Sequence, residues 1–272
     1  MFLFANISLF SSISQIYSDG VIYNDKKTAV TIYNGNYSAS ISSVVTIDGA
    51  AADSVEIIGN SKNNLIHGGE GSDSIFGGSG NDTISGYYWD STVNGGAGND
   101  LLWNDTYNDG ANNVSISGGA GADSITNFGN NVTINGDAGN DNIHNDKGGD
   151  GADSVLINGG ADNDFIFNFG TNSTLLGGDG ADTIGNYRYG YYNGVLTFSD
   201  GGENVLIDGG SGNDSIQTNA VGGTIIGGAG HDTILLTDGE SNLVRYANGD
   251  GNDIITGFGL TDTLNITSGS YT

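Results

Sequence analysis

GGSGNDTIS at 77–85, GGAGNDLLW at 95–103 and GGAGADSIT at 118–126 are copies of one nine-residue unit that recurs along most of the 272-residue chain. The other copies are GGEGSDSIF at 68–76, GDAGNDNIH at 136–144, GGADNDFIF at 159–167, GGDGADTIG at 177–185, GGSGNDSIQ at 209–217 and GGAGHDTIL at 227–235. The glycines permit backbone angles that other residues avoid, the sixth residue is always Asp and the eighth is Ile or Leu. Each unit therefore joins a tight turn, a carboxylate and a core residue.

The spacing of the units predicts a coiled architecture. From residue 77 the units start at 95, 118, 136, 159, 177, 209 and 227, and a variant in which Asn248 replaces the first glycine starts at 248. Four of these eight steps are 18 residues long, which is the length of two units. A fixed period of this kind is typical of a solenoid, and the calcium-binding β-helix is built from such nonapeptides.

Over about residues 59–256 the chain resembles the RTX (repeats-in-toxin) calcium-binding family. The resemblance implies a parallel β-roll, Ca2+ as the bound ion at several sites, and a secreted, extracellular protein of bacterial type. It also implies export by a type I secretion machinery that reads an uncleaved C-terminal signal. It identifies a module and leaves the activity of any full-length host protein open, and we expect the chain to be part of a longer protein.

We predict an all-β fold, a right-handed parallel β-roll or β-helix solenoid of about 18-residue coils with insertions on one edge. Three regions are expected: degenerate N-terminal capping coils at 1–58, calcium-binding repeats at 59–256 and a closing segment at 257–272. Terminal repeats of a solenoid are typically atypical caps.

The predicted metal edge is formed by the sixth residues of the units, because calcium takes 6 to 8 oxygen ligands and carboxylates supply them. The candidate carboxylates are Asp82, Asp100, Asp123, Asp141, Asp164, Asp182, Asp214, Asp232 and Asp253. Loop backbone carbonyls are expected to contribute near Gly77, Gly80, Gly95, Gly98, Gly118, Gly121, Gly136, Gly139, Gly159, Gly177, Gly180, Gly209, Gly212, Gly227 and Gly230. One ion between each neighbouring pair of the nine loops gives eight ions, which would change the formal net charge from −26 to about −10.

The opposite edge is predicted to bind no metal, because the alternate half-turns carry Ser91, Val132, Ser173 and Gly223 at the sixth position. Directly after five successive units an asparagine recurs, at Asn104, Asn127, Asn145, Asn168 and Asn186. Coils stacked at ~4.7 Å would align these amides into a ladder. The alternative is that Asn merely tolerates tight turns.

Alternation within the units predicts two inward-facing walls of apolar residues. One wall is expected to contain Ile84, Leu102, Ile125, Ile143, Ile166, Ile184, Ile216, Ile234 and Ile255, and the other Val93, Ile116, Ile134, Ile157, Leu175, Ile207 and Ile225. The extra residues of the longer steps fall near 105–111, 146–152, 187–203 and 238–243, always after the recurring Asn. They are therefore expected to bulge from the non-metal edge.

Two further sequences match the motif but are not expected to bind metal. In GGDGADSVL at 148–156, Asp153 aligns with Asn112 inside an insertion, so we expect a turn role for it. Asp73 falls on the other edge without an Asp partner one coil away, and we leave it out of the metal sites.

Composition limits the partners. The net charge of −26 argues against nucleic acid and anionic membrane surfaces, and no apolar stretch is long enough for a membrane span. Of the 32 acidic residues 28 are Asp, the shorter carboxylate, and there is no Cys, so metal would replace disulfides as the cross-link.

Catalysis is not expected, because neither an H-E-x-x-H nor a G-x-S-x-G motif is present. His67, His144 and His231 are expected to face solvent at corners. The alternative function is a carbohydrate-binding or polysaccharide-lyase-like β-helix, although Lys and Arg are scattered. The aromatic residues of the insertions could form a sugar platform or cover the coil ends; they are Tyr87, Tyr88, Trp89, Tyr187, Tyr189, Tyr191 and Tyr192.

Overall fold

The fold was obtained as a computed structural model. It describes residues 13–16, 21–24, 29–32, 37–38, 46–49, 54–69, 71–86, 89–104, 112–145, 152–192, 195–199, 202–237 and 240–267. Every regular element in this part of the chain is a β-strand, and the strands form two large sheets and one hairpin.

The first sheet has 14 strands. In spatial order they are β1 (Ile13–Ile16), β2 (Val21–Asn24), β3 (Ala29–Ile32), β5 (Thr46–Asp48), β7 (Leu65–His67), β9 (Thr83–Ser85), β11 (Leu101–Asn104), β13 (Ser124–Asn127), β15 (Asn142–Asn145), β17 (Phe165–Asn168), β19 (Thr183–Asn186), β23 (Ser215–Thr218), β25 (Thr233–Leu236) and β27 (Ile254–Thr256).

The second sheet has 12 strands. In the same direction they are β4 (Tyr37–Ser38), β6 (Glu56–Asn60), β8 (Ser74–Ser79), β10 (Thr92–Ala97), β12 (Ser115–Ala120), β14 (Thr133–Ala138), β16 (Leu156–Ala161), β18 (Thr174–Asp179), β22 (Leu206–Ser211), β24 (Thr224–Ala229), β26 (Leu243–Ala247) and β28 (Thr263–Thr267).

One coil consists of one strand from each sheet, and equivalent strands of successive coils pair in parallel. In β10 and β12, for example, Val93 pairs with Ile116, and in β11 and β13 Leu102 pairs with Ile125. The same register continues through the repeats, so each unit position forms a column along the solenoid. The predicted all-β, parallel solenoid is confirmed.

A single thin core runs between the two sheets. Because side chains alternate across a strand, each coil contributes one aliphatic residue from each wall, and the predicted inward residues of both walls are buried. The exception is Ile255 in β27, which is only partly buried and packs against the core from the last coil. A third row from the turns, including Val55, Val114, Val132, Val155 and Val205, completes the core.

The structure describes the predicted insertions only in part. The longest one follows Asn186 and includes an antiparallel hairpin of β20 (Arg188–Tyr192) and β21 (Val195–Ser199), after which the chain rejoins the second sheet at β22. Residues 105–111 and 146–151, where two further insertions are predicted, lie outside the described part of the chain. The placement of all insertions on one edge stays a prediction.

The ends differ from the repeats. β1, β2 and β3 pair with one another in antiparallel fashion, whereas β3 and β4 pair in parallel with β5 and β6. At the other end β28 pairs in parallel with β26. The proposed division at residues 58 and 256 stays a prediction.

Candidate metal centre

The nine predicted carboxylates occupy one column, at the corner where each strand of the second sheet turns into the first sheet. We call this corner column, from Asp82 to Asp253, the Asp edge. Its members from Asp82 to Asp232 are at most 3% exposed, and Asp253 in the last coil is partly exposed. The repeat thus places acidic side chains inside the solenoid, where charge is costly without compensation.

One oxygen of each carboxylate ties two coils together. Asp100 Oδ1 accepts the backbone N–H of Asp82 at 2.6 Å, and Asp123 Oδ1 accepts the N–H of Asp100 at 2.7 Å. The chain of bonds continues to Asp253, whose Oδ1 accepts the N–H of Asp232 at 3.0 Å. Each carboxylate therefore holds the corner of the coil before it.

The other oxygen has no such partner. In all members from Asp82 to Asp232, Oδ2 is buried and accepts no hydrogen bond in the structure. A buried carboxylate oxygen without a donor is strongly unfavourable unless a cation compensates it. A column of such oxygens, one per coil, fits a hard divalent cation that prefers oxygen ligands.

Glycine at the first unit position keeps the space beside Oδ2 open. A Cβ on Gly95 would overlap Asp100 Oδ2 and would lie 2.6 Å from the carbonyl oxygen of Gly118 in the next coil. A carboxylate oxygen and a backbone carbonyl of adjacent coils thus meet beside the same glycine. The third glycine of the unit, Gly98, is required by the turn. Its φ is +130°, and a Cβ at this position would overlap the carbonyl oxygen of Gly80.

Burial raises the pKa of these carboxyl groups, as expected for charged groups removed from water. Desolvation is the main cause, and neighbouring carboxylates add to it at several positions, whereas the hydrogen bond from the preceding coil opposes it. The pKa rises to about 7 at Asp82, Asp123, Asp164 and Asp214 and to about 6 at Asp141. At Asp100, Asp182, Asp232 and Asp253 the pKa is also raised.

We call the edge opposite to the Asp edge the amide edge, and from Ser91 to Gly223 its inner column consists of neutral residues. Ser91, Val132, Ser173 and Gly223 occupy the column equivalent to the Asp column, as predicted. The asparagine ladder is also confirmed: Asn104, Asn127, Asn145 and Asn168 each donate from Nδ2 to Oδ1 of the next Asn, at 2.6 to 2.7 Å. Asn186 ends the ladder on Thr218 Oγ1 at 3.1 Å.

Asp153 behaves as predicted for a turn residue. It is exposed, and its Oδ1 accepts the backbone N–H of Thr171 at 2.8 Å while its own N–H donates to Asn130 Oδ1. The buried position of that half-turn belongs to Val155.

Three features of the two edges were missed from the sequence. Asn64 heads the Asp column, and its N–H donates to Asp82 Oδ1 at 2.6 Å. An outer ladder also runs beside the Asp column, where Asn81 Oδ1 accepts the N–H of Asn99 at 3.0 Å from the following coil. The fifth unit position, which is Asn in five of the nine glycine-initiated units, was the signal for this ladder.

The third feature is Asp73, which was left out of the metal sites. It lies on the amide edge, is 3% exposed, and its Oδ2 is buried without a hydrogen-bond donor, as in the Asp edge. Its Oδ1 accepts the N–H of Val55, its N–H donates to Ser91 Oγ, and burial raises its pKa to about 7. The complete GGEGSD motif was the available signal.

The histidines only partly match the expectation of solvent-facing corners. His67 and His231 are exposed, but His67 lies within strand β7. His144 in β15 is half-buried and contacts the rings of Phe165 and Phe167, with centroids 5.7 and 5.8 Å away. The expectation of a solvent-facing corner did not take into account the following coil, which supplies the two aromatic rings.

One cluster of aromatic ring contacts lies beside the first sheet and joins His144, Phe165, Phe167, Phe169 and Tyr187. Phe167 is nearly buried between Phe169 and Tyr187, with centroids 4.6 and 4.9 Å away, and it fills the space left by Gly185. Tyr187 leads directly into the hairpin, so this part of the cluster supports its base. Trp89 is exposed, whereas Tyr87 and Tyr88 and the side chains of Tyr189, Tyr191 and Tyr192 lie outside what the structure describes.

Asp48, His67 and Ser85 share another outward column and line a cavity of about 330 Å3. His67 is exposed and its ring lies over Gly86. Within the described ranges, no three acidic or histidine side chains converge on one point, so a cation at the Asp edge would also need backbone carbonyls.

No helix suited to crossing a membrane occurs among the described residues.

Comparison with known proteins agrees with this geometry. The family model described as RTX calcium-binding nonapeptide repeat (4 copies) matches residues 56–87, 90–103, 104–127, 169–184, 197–220 and 224–240. No curated protein and no solved structure gives a significant match. Between the matched segments, Asp141 and Asp164 continue the same column. Across these segments the chain carries repeats that match the RTX calcium-binding nonapeptide repeat family.

Proposed function

We propose that this chain is a calcium-binding structural module of a secreted protein, and that it folds when it meets extracellular calcium. The observation that carries the proposal is the column of buried Oδ2 atoms from Asp82 to Asp232, none of which accepts a hydrogen bond. Calcium would be held by these oxygens together with loop carbonyls such as that of Gly118. The family membership of the repeats supports the choice of ion.

Coupling between binding and folding follows from charge and core size. The net charge of −26 opposes compaction, and the core has only one aliphatic residue per wall in each coil. Where a site exists only in the folded state, the free energy of ion binding is free energy of folding. Extracellular calcium modules typically bind in the range of about 10⁻⁴ to 10⁻³ M, so millimolar calcium should suffice.

We propose no catalytic activity for the chain. The repeated carboxylates are engaged with the backbone of neighbouring coils, and the arrangement recurs in every coil, as a repeated ion site requires and a single active site does not. The purified chain should therefore not turn over peptides, esters or acidic polysaccharides. Reproducible cleavage that a substitution outside the Asp edge abolishes would contradict this.

The proposed function is tested by calorimetric titration of the chelator-treated chain with calcium, followed in parallel by circular dichroism. We expect binding of several ions, with eight as the specific expectation, and a simultaneous gain of β-structure. If calcium binds without any change in the spectrum, the chain is a calcium-binding module but not a folding switch.

A further inference from the structure

Asn94, Asn135 and Asn158 each stand directly before the first glycine of a metal loop, and they share one column on the outer face of the second sheet. Asn94 pairs with Ser117, Ser117 with Asn135, and Asn135 with Asn158. Asn-Gly is the sequence in which the side-chain amide is most open to attack by the next backbone nitrogen, because glycine has no Cβ to obstruct the approach. We propose that these three residues are deamidation sites that the calcium-bound fold protects, so that the chain is chemically modified when it is deprived of calcium.

The reaction needs only water. The backbone nitrogen of Gly95 attacks Cγ of Asn94, a C–N bond forms, and the side-chain nitrogen leaves as ammonia with the proton that the glycine amide gave up. Water then opens the five-membered imide on either side and gives Asp or isoaspartate. No electrons are exchanged, and each event adds one carboxylate.

The fold opposes ring closure at these positions. Asn94 and Gly96, on either side of Gly95, are held in the parallel ladder with Ser117 and Gly119. Asn94 Nδ2 donates to Ser117 Oγ at 3.0 Å, which directs the side chain along the outer face and away from the backbone. Gly95, Gly136 and Gly159 are buried against their own loop carboxylates. The strand must open before the nitrogen can reach Cγ.

The chain contains its own reference site. Asn248-Gly249 is the fourth Asn-Gly sequence in the described part of the chain, and it lies in an exposed turn after β26. Nothing lies within 4 Å of where a Cβ on Gly249 would be. Its reactivity should therefore depend much less on calcium than that of the three ladder asparagines.

Modification would damage the metal edge. Isoaspartate adds one backbone atom immediately before the glycine that borders Asp100 Oδ2, Asp141 Oδ2 or Asp164 Oδ2. The strand after the insertion would lose register with its neighbours, and the loop oxygens would move with it. A chain aged without calcium should therefore refold less completely when calcium returns.

The test incubates the full chain at neutral pH with calcium or with chelator, and quantifies Asp and isoaspartate by peptide mapping. In chelator we expect all four sites to react, and in calcium we expect the three ladder sites to slow by at least about tenfold relative to Asn248. That factor corresponds to an opening free energy of about 1.4 kcal/mol. Equal slowing at Asn248 and at the ladder sites would contradict protection by the strand register.

A matched variant separates modification from other damage. Ser117 already occupies the column, so Asn94→Ser, Asn135→Ser and Asn158→Ser combined should fold normally and keep full refolding after ageing in chelator, while the parent loses it. If the variant loses refolding as fast as the parent, modification at these sites is not the cause.

The inference rests on the proposed calcium-dependent folding, and circular dichroism of the same samples distinguishes the two failures. A β-rich spectrum in chelator would overturn the folding switch alone, and the ladder sites would then be compared between native and urea-unfolded samples. Equal rates in those two samples would overturn the protection itself.

Discussion

The N–H of Asp182 donates to Oδ1 of Asp214 at 2.8 Å across a sequence separation of 32 residues. The preceding bond, from Asp164 to Asp182, has the same length and spans 18 residues. The hairpin of β20 and β21 accounts for the difference, and it leaves the coil on the amide edge. The spacing of the Asp edge is thus independent of coil length, which is the condition for an uninterrupted row of ion sites.

Removal of calcium is the broadest test of the row. In chelator we expect a largely disordered chain, because uncompensated buried carboxylates and high net charge oppose a small core. In millimolar calcium we expect the β-rich solenoid. Circular dichroism measures the change, and identical β content under both conditions would exclude the folding switch.

Substitution of Asp141 tests a single position of the Asp edge. Asp141→Ala removes one Oδ2 and the acceptor of the Asp123 N–H, so we expect a higher calcium midpoint for folding and fewer ions bound. Asp141→Asn retains an oxygen that can accept the hydrogen bond but loses the charge, and it separates the two contributions. Titration calorimetry gives the ion count. An unchanged count and affinity in Asp141→Ala would show that the metal edge is wrongly assigned.

Asn127 provides the contrasting position on the amide edge. Asn127→Ala removes the donor to Asn145 Oδ1 and the partners of the Gly129 backbone. We expect a stability loss of roughly 1 to 3 kcal/mol, the usual cost of leaving a buried polar group unsatisfied, without a change in the number of ions. Urea unfolding in saturating calcium measures the first quantity and calorimetry the second.

Gly95→Ala tests the space beside the carboxylate. The new Cβ would overlap Asp100 Oδ2 and crowd the Gly118 carbonyl, so we expect a loss of about 1 to 3 kcal/mol from overpacking together with weaker calcium binding. Thr92→Ala on the exposed face of the same strand is the control and should change neither property. Normal calcium affinity in Gly95→Ala would mean that this space is not part of an ion site.

Acidification should replace part of the calcium requirement. The pKa of Asp82, Asp123, Asp164 and Asp214 rises to about 7 and that of Asp141 to about 6, against about 3.9 for an unfolded Asp. The folded state therefore binds more protons than the unfolded state. The stabilisation of the fold by protonation of these carboxyl groups is complete below about pH 4 and is lost as the pH rises through about 6 to 7. In chelator, β content should increase from pH 8 to pH 5. Light scattering must accompany the measurement, since aggregation near the pI of about 4.1 would imitate it.

The parts that follow from periodicity alone could be predicted. The 18-residue step and the alternation around Ile125 and Ile134 determine the coil, both walls and the Asp column, because each is a local pattern repeated in phase. The amide ladder was also predictable, since Asn127 and its equivalents keep one phase with respect to Asp123.

Interactions between coils were harder to predict, because their partners lie one coil apart at variable sequence distances. Asn64 could be recognised as the head of the Asp column only after β7 was paired with β9. Asp73 appears isolated in the sequence because no second Asp lies one coil away. Its hydrogen-bond partners are instead the backbone of Val55 and the hydroxyl of Ser91. The ring contacts of His144 depend on two phenylalanines of the following coil.

The confinement of the carboxylates to one edge also has a mechanical consequence. In a folded solenoid with only part of its sites filled by calcium, repulsion between neighbouring carboxylates would lengthen the Asp edge, whereas the hydrogen-bonded amides hold the spacing of the opposite edge. A rod in which only one side lengthens bends toward the other side. Calcium concentration would thus set the curvature of the rod as well as its stability.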